Sequence, residues 1–317
     1  MIVRLRKGSH YLFAAAKVLV VALTLGYIFF KLQDRASLPF AEFVQQVARG
    51  NHLILAGILF TILVAANWFF EILKWQTLVC TFGRIDFKTA LKQSLASLTV
   101  SLATPNRIGE YGAKALFFER RYRKKILLLN LFSGMAQMAV TVFFGLIGLL
   151  YLFGNFNIPY SVANVGYFVI GLIFLAALAY YFKEKELLLK GLSVVRVFNF
   201  FRSLPAGAIV RTFLFSLLRY AVFSAMFFGL LRFFGSTLSP IEAFPIIFAM
   251  YLLVSVMPAI FVFDVIIRGG VAVWLFSLVG VPEVIVLATV LAQWLYNFVF
   301  PALAGSYWVF TFQPATQ

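Results

Sequence analysis

The sequence predicts an all-α polytopic membrane protein with six full spans and two broken, re-entrant helical hairpins, about eight hydropathy segments in all. Three observations support this prediction. The 317-residue chain is 63% hydrophobic and 12% charged, with a mean hydropathy of +0.96, whereas soluble domains carry about 25% charged residues. Several windows exceed the roughly 18 uncharged apolar residues that mark a transmembrane helix. Two further apolar segments are interrupted by proline beside charged residues and glycine.

The six full spans are the long apolar runs of the chain. The first run follows Arg4, Arg6 and Lys7, as a signal peptide would. It is long and no small-residue cleavage site follows it, so it is interpreted as a span with a cytoplasmic N-terminus. The predicted spans are Tyr11–Phe30, Leu53–Ile72, Ile126–Phe153, Ser161–Phe182, Thr212–Leu231 and Val284–Phe310.

The first broken hairpin lies between the second and third spans. Its uncharged segment Gln93–Asn106 covers only about 21 Å as a helix, short of the roughly 30 Å hydrocarbon core. Basic residues flank the segment on both sides, so both of its ends are expected to face the cytoplasm. A segment that enters and returns on one side is re-entrant, and Pro105 and Gly109 mark its turn.

The second half of the chain contains a counterpart to this hairpin. Ala243–Phe263 is uncharged but is interrupted by Pro258, and the stretch Asp264–Gly270 carries two charges and two glycines. The next apolar run, Val271–Pro282, is again too short to span comfortably. We therefore expect a second broken hairpin, interrupted at Pro258.

The loop charges give each half the order span, span, hairpin, span, in opposite orientations, with both termini cytoplasmic. This is the inverted-repeat plan of many secondary transporters. We predict a single transmembrane domain, residues 1–317, with half-repeats 1–153 and 154–317. Within the second half, Leu187–Arg202 is apolar with spaced cations, which fits either an interfacial helix on the cytoplasmic face or an ordinary connecting loop.

Charged residues at the first break are candidate binding residues, because charge is tolerated at membrane depth only inside protein or a water-filled cavity. Arg107 and Glu110 are three apart and can pair on one helical face. That pair is either purely structural or leaves Arg107 to receive a lipid phosphate. The helix restarting after Pro105 would point its N-terminal amides at the same anion, and Lys114 would add positive potential.

The second half and the ends of the spans supply further polar candidates. Asp264 and Arg268 are four apart and are expected to pair in the second hairpin. Arg219 lies mid-span and must face the interior, either as the partner of Asp264 or as a second phosphate contact. Glu71 and Lys74 are interpreted as boundary charges. Three polar residues on the later spans are expected to form interhelical hydrogen bonds: Gln137, Gln293 and Asn297.

Several functions are excluded by composition and motif. The net charge of +16 is assigned to cytoplasmic loops facing anionic headgroups rather than to nucleic-acid binding. Cys80 is the only cysteine, and His10 and His52 lie on either side of the first span, so neither disulfides nor a metal site are predicted. The chain contains no P-loop, no H-E-x-x-H and no G-x-S-x-G. We expect no cofactor, and energy for transport would come from a gradient or a partner.

Pro105 to Glu110 fits the pattern P-x-R-x-G-E, and Trp75 to Leu78 supplies a W-x-x-L element before it. A basic stretch and a long span then follow. In these features the chain resembles the lysylphosphatidylglycerol synthase transmembrane-region family of flippase-like membrane proteins. The resemblance implies a bacterial-type inner-membrane protein that moves lipids between leaflets. It places Pro105, Arg107, Gly109 and Glu110 at a substrate-facing break.

The resemblance is weaker in the second half. The family would show a glycine-rich P-x-x-x-G-x-G-x-x-E element there, whereas this chain keeps Pro258 and an Arg-Gly pair with Phe-Asp-Val-Ile-Ile before it. This departure leaves the lipid headgroup open. Bifunctional members of the family also carry a soluble aminoacyl-transferase domain, which this sequence lacks, so lipid synthesis is not expected of it.

Three functions remain open from the sequence. The first is a flippase for a phospholipid or a lipid-linked substrate, with a positively charged cavity meeting both hairpins. The second is an integral-membrane enzyme acting on a lipid phosphate or glycolipid, for which Glu110 is the candidate carboxylate. The third is a non-transporting scaffold, in which apolar residues could replace Arg107 and Glu110 with little loss. A homo-oligomer is compatible with each.

Overall fold

The computed structural model describes residues 53–102, 104, 107–156, 193–257 and 263–312. All regular structure in these ranges is helical, so the predicted all-α class is confirmed for them. The helices are α1 Leu53–Val79, α2 Phe87–Ser101, α3 Gly109–Leu116, α4 Arg123–Asn155, α5 Val194–Arg202, α6 Ala206–Phe233, α7 Pro240–Val256, α8 Phe263–Ser277, α9 Glu283–Trp294 and α10 Phe300–Phe310. A 3₁₀ turn, Arg120–Tyr122, precedes α4, and a π-helical turn, Leu295–Val299, joins α9 to α10.

Four of the six predicted spans are present as helices long and apolar enough to cross a membrane. They are α1, α4 with its preceding 3₁₀ turn, α6, and the continuous helix from α9 to α10. The predicted spans 11–30 and 161–182 lie outside the described residues. The protein is therefore a multi-pass helical membrane protein, while six full spans and an inverted repeat remain predictions.

The first hairpin is built from two short helices, although its bounds differ from those predicted. Asp86 caps α2 by accepting a hydrogen bond from the Thr89 amide at 3.1 Å, so the helix starts well before Gln93. Hydrogen bonds from Thr89 also lower the pKa of Asp86. The helix ends at Ser101, ahead of Pro105, which lies outside the described residues. At about 22 Å, α2 is still too short to span.

Helix α7 ends beside the predicted interruption at Pro258. Its last residue is Val256, and Met257 is extended, while the stretch Asp264–Gly270 lies inside α8. Asp264 and Arg268 form an i,i+4 ion pair that supports helix. Isolated helical glycines cost only about 1 kcal/mol each, which that pairing and packing offset. Pro258 lies outside the described residues.

The hairpin helices pack closely on the long spans. Helix α7 lies along α4, where Gly148 approaches the backbone of Pro245 and Ala249. Helix α10 lies along α2, where Gly305 approaches the carbonyl of Leu95. A Cβ atom at either glycine would overlap its neighbour, which is the close approach that small residues permit between membrane helices. These contacts hold both helix interruptions against the long spans.

The core of the molecule is aromatic and its outer faces are apolar. Phe227 and Phe276 are fully buried and stacked, with ring centroids 5.8 Å apart. On the outside, Ile54 is 82% exposed and Leu150 73% exposed. Apolar faces of this kind suit hydrocarbon, which is as apolar as the side chains themselves.

The segment predicted as an interfacial helix or a loop, Leu187–Arg202, is helical over Val194–Arg202. Ser193 caps α5, and Phe200 and Phe201 pack on a core cluster while Phe198 is 59% exposed. This amphipathic helix agrees with the first of the two alternatives for Leu187–Arg202. Its position at the membrane interface remains a prediction.

Candidate functional site

Arg107 has an unusual backbone conformation at the first break. Its φ of 57° lies in the left-handed region, which costs a non-glycine residue roughly 1–3 kcal/mol and occurs often at functional sites. The guanidinium carbon lies 4.2 Å from the centroid of the Phe298 ring. Within the described ranges no carboxylate lies within ion-pair distance of this guanidinium, and no side-chain hydrogen bond is formed by it. No described side chain therefore engages its N–H donors.

The predicted Arg107–Glu110 pair is wrong. Glu110 instead accepts a hydrogen bond from Lys114, with Nζ and Oε1 2.7 Å apart. Helix α3 begins at Gly109, so Arg107 precedes it. Glu110 and Lys114 share a face of this helix, and Arg107 is not on it. Lys114 Nζ also donates to Asn130 at 2.9 Å and lies 4.3 Å from the Trp75 ring centroid. At 1% exposure, Lys114 holds the helices together.

Gly109 has a packing role at the start of α3. Its amide donates to Thr104 Oγ1 at 2.8 Å, so this N-terminal amide is engaged within the chain rather than open to an anion. A Cβ atom here would lie 2.7 Å from the same oxygen, which explains why a glycine is needed. The expectation that helix-terminal amides bind the ligand does not hold for Gly109.

Arg219 pairs with Glu71, so the first of its two predicted roles, as the partner of Asp264, is wrong. Arg219 Nη1 is 2.6 Å from Glu71 Oε2, and Nε donates to Asn67 Oδ1 at 3.2 Å. Glu71 Oε2 also lies 2.8 Å from Lys74 Nζ. The interpretation of Glu71 and Lys74 as boundary charges is wrong, since they are only 7% and 2% exposed. They are buried because α1 and α6 pack along each other.

The predicted Asp264–Arg268 pair is confirmed. Arg268 Nε lies 2.9 Å from Asp264 Oδ1, an ion-pair distance without the angles of a hydrogen bond. The Arg268 guanidinium is also 5.8 Å from the Phe298 ring centroid. Phe298 thus contacts two arginines from the two halves of the chain, a role that the sequence analysis missed. It lies in the π-helical turn, a deviation that is frequent at functional sites.

Two adjoining cavities lie at these residues. One has a volume of about 220 Å³ and is lined by all three arginines, Arg107, Arg219 and Arg268. The other has a volume of about 350 Å³ and shares Arg107 and Arg268, with Asp264 in its wall. Together they are within the size range of small-molecule sites, roughly 300–1,000 Å³.

The charge around the cavities is unbalanced among the described residues. They place five cations and three carboxylates in this interior, which gives these side chains a net charge of +2. None of the described residues that line the smaller cavity is a carboxylate. Because charges interact more strongly inside a protein than in water, this arrangement attracts an anion. The residues counted are Lys74, Arg107, Lys114, Arg219 and Arg268 against Glu71, Glu110 and Asp264.

The predicted interhelical hydrogen bonds of the polar residues are confirmed. Gln137 Nε2 donates to the Ser216 carbonyl at 3.3 Å, and Gln293 Nε2 donates to the Phe223 carbonyl at 2.8 Å. Asn297 Oδ1 accepts from Asn67 Nδ2 at 2.9 Å. These bonds fix α4, α6 and α1 around the smaller cavity.

Of the eight predicted site residues, four line the cavities: Arg107, Arg219 and Arg268 the smaller one, and Asp264 the larger one. Gly109, Glu110 and Lys114 build the break behind Arg107 without lining either cavity. Pro105 lies outside the described residues. In the described ranges no group of three His, Cys, Asp or Glu residues could hold a metal ion.

These features define a helical integral-membrane protein with a cationic interior cavity at two helix interruptions. The model of the lysylphosphatidylglycerol synthase TM region family matches residues 14–305. The chain belongs to this family, as its sequence motifs predict. The match concerns the transmembrane region of the family, not its catalytic domain. No match was found among curated proteins or among solved structures.

Proposed function

We propose that this protein is a lipid flippase that moves a phospholipid or lipid-linked substrate between the leaflets of a bacterial-type inner membrane. The lipid phosphate is held by Arg107, Arg219 and Arg268. One observation carries the proposal: three guanidiniums converge on a carboxylate-free cavity inside a membrane protein. Uncompensated positive charge in such a place is costly and marks a substrate path.

The arginines have donors to spare for a phosphate. Each guanidinium carries five N–H groups in a planar fork. Arg219 uses two of them, toward Glu71 and Asn67, and Arg107 uses none with described side chains. A phosphate oxygen pair suits the remaining donors, because arginine binds phosphate in a bidentate way.

Pairing of the carboxylates favours transport over the alternatives. An enzyme that used a carboxylate on a lipid phosphate would need one free of ion pairing, yet Glu71, Glu110 and Asp264 are each ion-paired. A scaffold would have no use for net positive charge in its interior, which burial makes expensive.

The positions of the two interruptions also support a transporter. The larger cavity is lined by Thr104 and Arg107 at the first interruption and by Met257 at the second. In inverted-repeat transporters the substrate site lies at matching broken helices of the two halves. We infer that half-repeats 1–153 and 154–317 form one domain around this site, with re-entrant hairpins and cytoplasmic termini.

The proposal is tested by lipid exchange in liposomes. The purified protein is reconstituted with fluorescent phospholipids, and movement between leaflets is measured for wild type, Arg107→Ala and Arg107→Lys. We expect Arg107→Ala to slow exchange about tenfold or more, since a hydrogen bond to a charged group contributes about 1.5–3 kcal/mol. Arg107→Lys keeps the charge without the fork and should fall between them.

Arg211→Ala is the matched control for this experiment. Arg211 lies on α6, two turns before Arg219, and is exposed outside the cavities. Its removal lowers the net charge equally but should leave exchange unchanged. Full exchange by folded Arg107→Ala would contradict the proposed function.

A further inference from the structure

The smaller cavity contains uncharged polar groups that have no partner in the described chain. Gln137 Oε1 is buried without a hydrogen bond, although its amide nitrogen is bonded. The Tyr220 hydroxyl is also buried, in a side chain only 5% exposed. The hydroxyl of Ser224 lies one turn further along α6, and the two hydroxyls are near each other without a hydrogen bond of good geometry.

Unpartnered buried polar atoms are rare, and each costs about 1–3 kcal/mol. Gln137 and Tyr220 both line the same cavity as the three arginines. Gln137 offers an acceptor, and a tyrosine hydroxyl both donates and accepts. These groups are therefore complementary to hydroxyl groups on a ligand whose anionic part lies at the arginines.

Aromatic packing fixes the position of the Tyr220 hydroxyl. The Tyr220 ring stacks on Phe144, with centroids 5.2 Å apart, and meets Tyr251 edge-to-face at 5.9 Å. Tyr251 is itself held by hydrogen bonding with Gln293. A hydroxyl held this way is pre-organised, which favours a ligand that matches it.

The same cavity is unsuited to an ammonium group. Three guanidiniums line it and no carboxylate does, while the nearby Glu71 carboxylate is occupied by Arg219 and Lys74. A cationic headgroup would be repelled there without a counter-charge. The polar side chains that line the cavity are thus suited to bind anions and neutral hydroxyl groups.

Building on the proposed function, we infer that the substrate is an anionic phospholipid whose headgroup is neutral and hydroxylated, of the phosphoglycerol or sugar-phosphate class. Headgroups carrying an amine are disfavoured. Arg107, Arg219 and Arg268 bind the phosphate, and Gln137 and Tyr220 determine which headgroup accompanies it.

Soluble headgroups test this selectivity without requiring transport. Thermal stabilisation of the detergent-purified protein is titrated with glycerophosphoglycerol, glucose 1-phosphate, glycerophosphoethanolamine and inorganic phosphate. We expect at least one hydroxylated probe to bind about tenfold more tightly than glycerophosphoethanolamine and more tightly than inorganic phosphate. The order of the first two probes distinguishes a polyol headgroup from a sugar.

Variants separate headgroup selection from phosphate binding. The double variant Gln137→Leu, Tyr220→Phe should lose the preference for hydroxylated probes and keep the wild-type Kd for inorganic phosphate. Arg107→Ala should raise the Kd for all four probes. Thr141 lines the same cavity with its hydroxyl bonded to Gln137 O at 3.1 Å, so Thr141→Val serves as a control that keeps the preference.

The outcomes distinguish the inference from the proposed function. Equal binding of amine and hydroxylated probes, unchanged by the double variant, would overturn the selectivity while leaving the phosphate site standing. Tighter binding of glycerophosphoethanolamine would overturn it as well. If no probe and no phosphate stabilised the protein, the phosphate site, and with it the proposed function, would fail.

Discussion

Glu71 is the residue on which the buried charges of α1 and α6 depend. Its carboxylate oxygen Oε2 lies 2.6 Å from Arg219 Nη1 and 2.8 Å from Lys74 Nζ, and the Glu71 side chain is only 9% exposed. We predict that Glu71→Gln strongly destabilises the protein. The substitution keeps the shape of the side chain and removes only its charge, so the effect measures the electrostatic contribution.

The size of the effect follows from burial. Removing one partner of a buried pair costs about 3–5 kcal/mol, because the remaining charge is left uncompensated. Lys74, at 2% exposure, cannot reach solvent. Since glutamine still offers an oxygen acceptor, we expect the lower end of that range, about 3 kcal/mol.

The free energy of unfolding is measured in mixed micelles titrated with SDS, with Glu119→Gln as the control. Glu119 pairs with Arg121 at a similar 2.7 Å, but the two side chains are 43% and 70% exposed. An exposed pair contributes about 0–1 kcal/mol. The N–O distances of the Glu71 and Glu119 ion pairs are similar, but their burial differs. The difference in unfolding free energy between the two variants therefore measures the effect of burial.

A double variant adds an internal check. Glu71→Gln combined with Lys74→Met removes the orphaned cation, so its loss should be smaller than the sum of the single losses by roughly 0.5–3 kcal/mol. A Glu71→Gln protein no less stable than the Glu119→Gln protein would refute the buried network.

Three further predictions concern the first helix break, the Phe298 ring and the re-entrant topology. Gly109→Ala should destabilise by about 1–3 kcal/mol because its Cβ would overlap Thr104, whereas Gly112→Ala, with open space around it, should be neutral or stabilising in the same unfolding assay. Phe298→Leu should raise the Kd for inorganic phosphate roughly 2- to 30-fold, the range of a cation–π contact, as read from thermal stabilisation. Cys80 is exposed, and an impermeant thiol reagent should label it from one side of the membrane. The same reagent should label a cysteine introduced by Arg121→Cys, in a Cys80→Ser protein, from that same side. Labelling from opposite sides would overturn the re-entrant course.

Hydropathy predicted the long helices because lipid imposes a simple rule on them. A segment that crosses hydrocarbon must be apolar and about 20 residues long, and α1, α4, α6 and α9–α10 obey it. The helix interruptions obey local rules that hydropathy does not register. The Asp86 cap starts α2 early, and the Asp264–Arg268 pair supports α8 through a stretch with two adjacent glycines.

The site residues could be predicted from the sequence as charges in apolar surroundings. Their ion-pair partners could be predicted only where they are close along the chain. Spacing correctly predicted the Asp264–Arg268 pair, which is local. Arg219 finds Glu71 across 148 positions of the chain, and only the packing of α1 on α6 brings them together. Phe298 gave no signal at all, since it is one of 39 phenylalanines and its role arises from the π-helical turn.

The most direct measurement is a structure of the full-length protein in a nanodisc containing an anionic phospholipid. We predict a lipid phosphate in the cavity, with oxygens roughly 2.7–2.9 Å from the guanidinium nitrogens of Arg107 and Arg268. We also expect Arg219 to keep its contact with Glu71. A cavity without lipid, with Arg107 turned to a carboxylate of the protein, would contradict it.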